Sequence, residues 1–593
     1  MAKAPQDSSQ LVDIPLGGYE TPYLTGLQAE SGGVLTGGYQ NKILSTMANW
    51  IRVDPKAPYP IAVRPPVEVI QDFATRGSMT TAIPRGCHFS AGIQRYLEVW
   101  DQTLYNAAVN TDPATPWAWT SNTSIDDTPA NGGPAGFADG QLLNGTKYCF
   151  VATTQSAFTV IADGTITELT DSVLTGTIES HIPTPVFLDG YIFLAKQNSR
   201  NLYNSDPGDP TTWHASTYTA TEAGAGEIVA LAKHNNHVVA FCTDHTEFFR
   251  DAGIAAPNSP LLRVQEHMQQ IGCVNRATVA TYGDTTVFVG RDITGIVGVY
   301  MLENFKIRKI SNVGIDAAMR IYGGSGDHST GVITDWTLGD TTNSSIKGHT
   351  TGYIIPIHGR PFYVLTTHFG QTSRSSGGST VASGQTFVYD VEADEWIEFR
   401  STQHPTGAGG SAMYSCFPFP FASVCNITVH SAAGELTTGK VVFQPNQGTF
   451  YLYPPFLNEG STTPQELDVG NSKASYQYNT PRQLIVTKYT DFGIPTLKFM
   501  GEVYPEFLGT FSYSAGSLIC LDNNSTTWAN QSSPPTIALP AVSGSGNTIG
   551  RRLYVGGSFN TRQMVITTYG YGSGGPSMLL SLKARLRAAS GLA

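Results

Sequence analysis

The stretch Lys147–Thr170, KYCFVATTQSAFTVIADGTITELT, decides the fold class of this chain. Two apolar runs are followed by Asp163-Gly164 and then by a third run. Asp-Gly between alternating apolar residues is the strongest short signal for a β-hairpin, because glycine easily adopts the backbone conformations that a tight turn needs. The stretch therefore predicts a three-stranded antiparallel meander.

The same pattern recurs along the chain. Further turns are predicted at Asp189-Gly190, His234–His237, Asp244–Thr246, Gly283-Asp284, His358-Gly359 and Glu392–Asp394, with a last strand pair in VVFQPNQGTFYLY at 441–453. The meanders begin near residues 146, 183, 227, 277, 350 and 411. Consecutive meanders at this spacing are typical of β-propeller blades, and they predict a degenerate propeller over residues 146–455, with about six blades and a range of five to seven. A pair of β-sandwiches is the alternative architecture.

The flanking segments predict an additional β-rich platform or sandwich domain, so the fold class is mostly β. Residues 1–60 are interpreted as an extended N-terminal arm, and 61–145 as a platform segment with a long Gly/Pro loop at 111–145. A helix is expected around Ala91–Val109. Residues 456–480 form a polar linker, and 481–593 a C-terminal β-sandwich. Its last strand places Lys583, Arg585 and Arg587 on one face, or forms a basic edge toward a partner.

Composition and charge exclude several classes of protein. Among 593 residues, 35 Lys and Arg stand against 46 Asp and Glu, which gives a formal charge of −11. Aromatic residues make up 10% and charged residues only 14%, which argues against disorder and against a long coiled coil. An acidic chain is also a poor phosphate binder. The sequence has no apolar run long enough to span a membrane and no secretory signal at its polar start.

Small motifs are interpreted as structural. The seven cysteines form no C-x-x-C pair and predict buried free thiols. Three segments resemble the Asp-box turn of sialidase-type propellers, in which Asp and Thr satisfy backbone donors and Trp anchors the loop. These segments are Ser205–Trp213, Asp522–Trp528 and Thr111–Trp117.

Candidate catalytic and binding residues also have structural explanations. The acidic run Asp390, Glu392, Asp394, Glu395 and Glu398 predicts a solvated hairpin, and His234, His237 and His245 predict turn histidines. The glycines at 323–326 and 409–410 do not open a helix with Lys-Ser/Thr, so they are loops rather than phosphate cradles. We therefore predict no catalytic, cofactor-binding or metal-binding residue and no enzymatic activity.

One long stretch resembles a known family. The segment LYNSDPGDPTTW (202–213) is followed by IVALAKHNNHVVAFCTDHTEFFR (228–250), by the strands of 270–302 and by KIRKISN (306–312). Over about residues 180–315 this order is similar to the tail nozzle of short-tailed phages (podoviruses), also called the packaged-DNA stabilisation protein or tail hub. The C-terminal runs RLYVGGSF, RQMVITTY and SLKARLR are similar to the closing strands of that family.

The resemblance implies a structural virion protein of the tail, assembled in the host cytoplasm. It implies a homo-oligomeric ring, usually a hexamer, below the portal and its adaptor protein. The ring encloses the DNA exit channel, retains packaged DNA, passes the genome during ejection, and carries tail fibres or a tail needle. The genomic DNA passes without sequence-specific binding, and no membrane insertion is implied.

The acidic charge agrees with such a channel, because each Lys or Arg contact with phosphate would add affinity for the sliding DNA. We expect a net negative or neutral channel lining. We also expect the Gly/Ser-rich loops at 323–351 and 371–385 to point toward the lumen or the distal tip. Two alternatives remain open: a glycan-binding or glycan-cleaving propeller in receptor recognition, and a bacterial adhesin or other interaction scaffold.

Overall fold

The architecture is described from a computed structural model. It describes residues 10–18, 45–64, 67–69, 84–100, 102–109, 118–122, 125, 134–178, 180–254, 258–322, 325–327, 332–335, 349–357, 359–369, 385–401, 417–418, 421–431, 434–443, 448–452, 466–467, 478–479, 482–488, 490–492, 498–508, 517–522, 536–538, 548–550, 552–555, 558–559, 561–569 and 578–588. Within these residues the chain is mostly strand, as the sequence predicts.

The strands are numbered in chain order. The first are β1 (Gln10–Asp13), β2 (Thr46–Ala48), β3 (Trp50–Arg52), β4 (Ile61–Val63), β5 (Val67–Val69), β6 (Pro84–Ser90), β7 (Arg95–Trp100), β8 (Thr103–Ala108) and β9 (Trp119–Asn122). Then come β10 (Gly136–Gln141), β11 (Lys147–Ala152), β12 (Ala157–Ile161), β13 (Ile166–Glu168), β14 (His181–Leu188), β15 (Tyr191–Lys196), β16 (Asn201–Asp206), β17 (Asp209–Ala220), β18 (Ile228–His234), β19 (His237–Cys242), β20 (Thr246–Asp251) and β21 (Leu261–Arg263). The central strands continue as β22 (Ile271–Cys273), β23 (Ala280–Tyr282), β24 (Thr285–Asp292), β25 (Val297–Glu303), β26 (Lys306–Lys309), β27 (Ser325–Asp327), β28 (Val332–Asp335), β29 (His349–Ile357), β30 (Arg360–Phe369), β31 (Gln385–Asp390), β32 (Glu395–Ser401), β33 (Phe417–Pro418), β34 (Phe421–Ser431), β35 (Gly434–Phe443) and β36 (Gly448–Leu452).

The C-terminal strands are β37 (Glu466–Leu467), β38 (Tyr478–Asn479), β39 (Arg482–Val486), β40 (Lys498–Leu508), β41 (Ser517–Asp522), β42 (Thr536–Ala538), β43 (Thr548–Gly550), β44 (Leu553–Tyr554), β45 (Ser558–Phe559), β46 (Arg562–Tyr569) and β47 (Met578–Ala588). Helix α1 is Val313–Tyr322. Short helical turns lie at Val173–Thr177, Gln265–His267 and Arg276–Thr278.

Seven antiparallel meanders form the blades of a propeller. Blades 1 to 4 are β6–β9, β10–β13, β14–β17 and β18–β21; blade 5 is β22–β26, blade 6 is β29–β32, and blade 7 is β34–β36. Inner strands of neighbouring blades lie side by side around the ring: β6, β10, β14 and β18 follow one another, β18 contacts β24 and β23 contacts β29 at blade 5, and β29 contacts β34. Strand β34 of blade 7 lies against β6 of blade 1. The ring is therefore closed. The short strand β5 pairs with β36 and supplies the fourth strand of blade 7.

The described residues form seven blades, which lies within the five to seven expected and is one more than the best count. The additional blade 1 lies in the predicted platform segment, where strands β7 and β8 replace the helix expected at Ala91–Val109, so that expectation was wrong. All six residues of β7 are buried, because neighbouring blades cover both faces of the sheet. A strand buried on both faces loses the period-two alternation that identifies strands in a sequence. We propose that the propeller begins at Pro84 rather than at residue 146.

The predicted hairpin turns are confirmed where they are described. At Asp189-Gly190 both residues have positive φ, +49° and +93°. A two-residue turn of this kind matches the right-handed twist of its strands, which explains the preference for Asp-Gly. His358 lies outside the described residues.

Each pair of neighbouring blades shares an apolar layer. Phe158 and Leu97 pack between blades 1 and 2, and further layers lie between each following pair up to blades 5 and 6. Cys425 of blade 7 packs against the cluster of blade 1. The burial of these layers drives the stacking of the blades.

A second β domain is built from both ends of the chain, which confirms the predicted terminal platform or sandwich. Strand β47 pairs with β1, β4 and β40 in one sheet. In the other sheet, β2, β39, β46, β41 and β42 continue from β32 of blade 6. Residues 1–60 were expected to form an extended arm, yet β1, β2 and β3 pair with strands of their own chain.

The core of this sandwich is continuous with blade 6. Leu579, Leu582 and Met564 of the sandwich belong to the same buried cluster as Ile355 and Phe362 of blade 6. Blade 6 therefore has one face on blade 5, and the cluster on its other face includes the sandwich and contacts Val424 of blade 7.

Five of the six described cysteines are buried and all six are free, as the pattern of spacings predicts. No helix among the described residues is long and apolar enough to cross a membrane.

Candidate interaction surface

The Asp-box-like turn at Ser205–Trp213 has the predicted structural role. Asp209 accepts hydrogen bonds from the backbone N–H of Thr211 at 2.9 Å and from the hydroxyls of Thr211 and Thr212 at 2.6 and 2.8 Å. Burial would raise the pKa of Asp209, but these hydrogen bonds lower it. The indole N–H of the buried Trp213 donates to Pro210 O. The Asp and Trp therefore fix the loop to the core. Thr111–Trp117 and most of Asp522–Trp528 lie outside the described residues.

The acidic run at 390–398 forms the predicted hairpin, but it is solvated only in part, at Glu392 and Asp394 of the turn. Asp390 and Glu398 are buried, and Asp390 pairs with Arg360. Glu395 pairs with Arg52 at 2.5 Å. Glu398 accepts a hydrogen bond from the hydroxyl of Thr46 at 2.6 Å. For Glu395 and Glu398 the expectation failed because these carboxylates meet N-terminal residues more than 300 positions away in the sequence.

A groove of about 780 Å³ lies beside this contact, between the N-terminal segment and blades 5 and 6. Its basic residues include Arg52, Arg308 and Lys309. Each of these three is paired with a carboxylate, of Glu395, Asp394 and Asp316 respectively. These pairs offset the charges of three cations, and Lys56 and Lys488 also line the groove.

His234 and His237 are turn residues, as predicted. Both rings contact Phe305 edge-on, and His237 Nδ1 lies 2.7 Å from Asn235 O. Burial lowers the pKa of His234, which favours a neutral ring. Their contacts are those of packed side chains.

His245 has a more specific environment than its turn position suggests. Its Nδ1 contacts Asp244 and its Nε2 lies 2.9 Å from Glu247 Oε1, so both ring nitrogens face carboxylates. Burial opposes the charged ring, but hydrogen bonds with Cys242 and Glu247 raise its pKa to about 10. Glu247 also accepts from the backbone N–H groups of Glu222 and Ala223 at 2.8 Å. The network holds the loop before β18 against β20.

The spacing of two of its residues is a local sequence signal for this network. Residues two apart in a strand point to the same face, and His245 and Glu247 have that spacing. The contact of the 222–227 loop with Glu247 could not be predicted from the local sequence, because the two meet only in the folded chain.

One group among the described residues has the chemistry of a metal site. Ligand atoms of His88, Asp139 and Cys149, from blades 1 and 2, lie within 4.8 Å of one another. His88 Nε2 is 3.2 Å from Asp139 Oδ2. Nitrogen, oxygen and sulfur donors of this kind suit zinc, with a fourth position for water. Burial and the neighbouring Asp139 raise the pKa of Cys149 well above its usual range, which opposes the thiolate that a metal needs. The predicted absence of catalytic, cofactor and metal residues stays a prediction.

Charge is unevenly distributed between the two domains. Residues 84–452, which contain the blades, carry 19 Lys and Arg against 32 Asp and Glu, a formal charge of −13. The remaining residues carry 16 Lys and Arg against 14 Asp and Glu, a charge of +2. The propeller therefore accounts for all the acidity of the chain.

The outer face of the β47 sheet is basic and partly apolar. Residues directly opposite one another in neighbouring strands share a face, so Tyr554, Glu502, Arg585 and Leu11 form one row across β44, β40, β47 and β1. Tyr554 is 71% exposed and Leu11 is 55% exposed.

Lys583 and Arg587 lie on the same face, which confirms their alternation on a final strand. Arg552 and Arg585 flank Glu502 at 3.5 and 3.6 Å, and both guanidinium groups lie over the ring of Tyr504. Phe499, opposite Arg587, is 46% exposed. We call this surface the basic face and define it by Leu11, Phe499, Tyr504, Arg552, Tyr554, Lys583, Arg585 and Arg587.

A second surface of opposite charge lies at one end of blades 2 to 4. Leu143 N donates to Gly208 O at 3.3 Å, and Gly208 N donates to Gly190 O at 2.8 Å, so three hairpin turns form one patch. Leu143 is 86% exposed.

The same patch carries carboxylates. Asp189 is exposed, and Asp206 and Asp251 lie close enough to Tyr191 for both to raise the pKa of its hydroxyl, after the larger effect of burial. We call this surface the acidic patch and define it by Leu143, Asp189, Asp206, Asp251 and Ile254.

Comparison with known families identifies the propeller. Residues 123–330 match the family described as bacteriophage P22 Gp10, beta-propeller. The match spans blades 2 to 5 and includes the stretch on which the sequence resemblance depends. The resemblance to the podovirus tail nozzle family is therefore confirmed over these residues, and so is the β-propeller. No curated protein matches the chain.

Solved structures are similar only distantly. A streptogramin B lyase is 9% identical with a TM-score of 0.34, covering 64% of this chain and 95% of that chain. The exo-β-1,3-galactanase from Phanerochaete chrysosporium is 10% identical with a TM-score of 0.24, covering 76% and 95%. The virginiamycin B lyase from Staphylococcus aureus is 9% identical with a TM-score of 0.26, covering 53% and 91%. Values this low carry no argument about function.

Proposed function

We propose that the protein is a structural component of a short-tailed phage tail, the nozzle or tail hub. The match of residues 123–330 to the P22 Gp10 propeller family carries this proposal. In the proposed role, identical subunits form a ring, usually of six, below the portal and adaptor. The ring encloses the DNA exit channel, retains the packaged genome and lets it pass during ejection.

The charge of the propeller supports this role. DNA that must slide through a channel is best met by a wall that makes few contacts between cations and phosphates. The 84–452 region, at −13, is suited to form such a wall. We propose that the lining is net negative or neutral. The loops at 323–351 and 371–385, proposed to point toward the lumen or the distal tip, lie mostly outside the described residues.

The proposed partners are the adaptor ring on one side and tail fibres or a tail needle on the other. The DNA passes without sequence-specific binding, and the mature protein is located in the virion tail. A closed ring requires two different complementary faces on each subunit, because the contacts are head-to-tail. The separation of charge between sandwich and propeller provides faces of opposite sign.

Particles assembled without this protein test the proposal. We expect heads that package DNA but lose it, which is measured as the fraction of full particles by electron microscopy and by nuclease-accessible DNA. Supplying the protein in trans should restore full particles, with density below the adaptor. Particles that retain DNA without the protein would contradict the role. Turnover of a glycan panel by the purified protein would instead support the glycan-cleaving alternative.

A further inference from the structure

We propose that the basic face of one copy of this chain binds the acidic patch of the next copy. The inference rests on the proposed function for its ring, and it adds which two surfaces meet. One surface belongs to the terminal sandwich and the other to the turns of blades 2 to 4.

The composition of the basic face is that of a protein interface. Arg, Tyr and Phe are enriched in interface cores and among the residues that contribute most to binding. The face presents Tyr554, Leu11 and Phe499 with large exposed fractions, between the cations of β47 and Arg552. Apolar side chains that are exposed together on the outer face of a sheet mark a surface that a partner covers.

The charge of the basic face selects a partner with carboxylates. Four cations, Lys583, Arg585, Arg587 and Arg552, outnumber the three carboxylates of this face, which are Glu502, Glu506 and Asp13. Glu502 is already paired with Arg552 and Arg585, and its side chain is only 14% exposed. The excess charge is therefore positive, and complementary charge favours association and fixes its orientation.

The acidic patch of a second copy offers the matching features. Asp189 and Asp206 adjoin the turns that are bonded to Leu143, which is 86% exposed, and Ile254, which is 39% exposed, follows Asp251 by three residues. Asp206 also lies 3.2 Å from Nε2 of the half-exposed His214. Backbone hydrogen bonds connect its turns, so the surface is formed before binding. Preformed surfaces bind with a smaller loss of conformational entropy.

The two surfaces lie on different domains, so their contact is head-to-tail. A head-to-tail contact closes into a ring when the rotation between copies is suitable. A contact of this kind agrees with the proposed ring and does not need a two-fold axis.

Substitutions that change the charge of each surface test the pairing in the full-length protein. The variant R585E/R587E alters the basic face, and L143K/D206K alters the acidic patch. We expect each to weaken self-association by about 10- to 100-fold in sedimentation experiments, because like charges then face each other. The variant with all four substitutions should recover at least about 10-fold, since attraction is restored with the signs exchanged.

A matched control reverses charges elsewhere. Arg200 and Arg291 lie at the opposite end of the blades from the acidic patch, and R200E/R291E should change self-association by less than about threefold. Self-association of the native chain should also weaken when the salt concentration is raised about fivefold, from 0.1 to 0.5 M. Unchanged circular dichroism and melting temperature establish that each variant is folded.

Several outcomes would overturn the inference. One is self-association of R585E/R587E that equals that of the native chain. Another is loss of association in both surface variants with no recovery in the combined variant. A third is a native chain that is monomeric at all concentrations. Binding of a DNA duplex that R585E/R587E abolishes while self-association is intact would assign the basic face to DNA. Failure of the proposed function is seen separately, as particles that retain DNA without the protein.

Discussion

The propeller and the terminal sandwich are both β structures, yet they are assembled in opposite ways. Within blades 1 to 4 and blade 6, each strand pairs with its neighbour in the sequence, as β10 to β13 do. In the sandwich, Gln10 pairs with Leu586, and Thr46 pairs with Val486. Local pairing closes short loops, and distant pairing must order the whole intervening chain. Residues 84–452, which contain the blades, carry a formal charge of −13, and the remaining residues carry +2.

The comparison shows where long-range contacts concentrate. Blade 6 belongs to both domains, because its strands continue into the sandwich sheet and its core is shared with it. The ion pairs of Arg52 and Arg360 lie at the same junction. We therefore expect perturbations of the sandwich to reach blade 6 and perturbations of other blades to stay local.

The largest effect is expected from the network inside blade 4. Glu247→Ala removes the acceptor of two backbone N–H groups and of His245, and should lower the free energy of unfolding by about 3–5 kcal/mol. Chemical denaturation measures this loss. Glu222→Ala, at a side chain that is 69% exposed, is the control and should change stability by less than about 0.5 kcal/mol. Equal effects of the two substitutions would contradict a specific role for Glu247.

Matched core substitutions compare the two domains directly. Leu582→Ala in the sandwich and Leu194→Ala in the propeller both remove fully buried side chains and should each cost about 2–5 kcal/mol. Hydrogen exchange should show faster exchange in both the sandwich and blade 6 for Leu582→Ala. For Leu194→Ala the change should be confined to blades 2 and 3. Unchanged exchange in blade 6 after Leu582→Ala would mean that the shared core does not couple the domains.

The junction itself is tested by Arg52→Met. The substitution removes two hydrogen bonds to Glu395, at 2.5 and 3.0 Å, and keeps much of the aliphatic stem. We expect a loss of about 1.5–3 kcal/mol, measured by thermal unfolding, with blade 6 as the first region to exchange. Lys56→Met, at an exposed position beside the same groove, should leave stability within about 0.5 kcal/mol. Similar losses in both variants would contradict the role of the ion pair.

The smallest effect is a dependence on alkaline pH confined to blade 4. The pKa of His245 is about 10 in the folded protein and 6.5 ordinarily, so its charged ring stabilises the fold fully below pH 6.5. This contribution is lost as pH rises through 10. Native protein should therefore exceed His245→Gln in stability by about 1 kcal/mol near neutral pH and lose that advantage above pH 10. A difference that is independent of pH would contradict a charged His245.

For Glu247 the dependence of stability on pH has the opposite sign, since its contribution is lost in acid. The pKa of Glu247 is lowered, because its hydrogen bonds to His245 and to backbone N–H groups outweigh burial. Its stabilisation is present above its ordinary pKa and is lost as pH falls through the lowered value.

Several features could be predicted from the sequence because they depend on neighbouring residues. The turns at Asp163-Gly164 and Asp189-Gly190, the strands of the C-terminal domain and the alternation of Lys583, Arg585 and Arg587 are local patterns. The family resemblance also depends on a local pattern of residues, that of the stretch 202–250. Blade 1 was missed because Tyr96, Leu97 and Glu98 are all buried, so β7 shows no alternation.

The tertiary structure alone decided which distant residues meet. Nothing near Glu395 in the sequence indicates an arginine partner, because Arg52 approaches only after the N-terminal strands have joined the sheet of blade 6. The basic face likewise requires β1, β40, β44 and β47 to be aligned from opposite ends of the chain. The sequence by itself determined the hairpins, since turn conformation and strand alternation act over a few residues. Closure of the seven-bladed ring and the union of both termini were decided by burial of apolar surface between elements hundreds of residues apart.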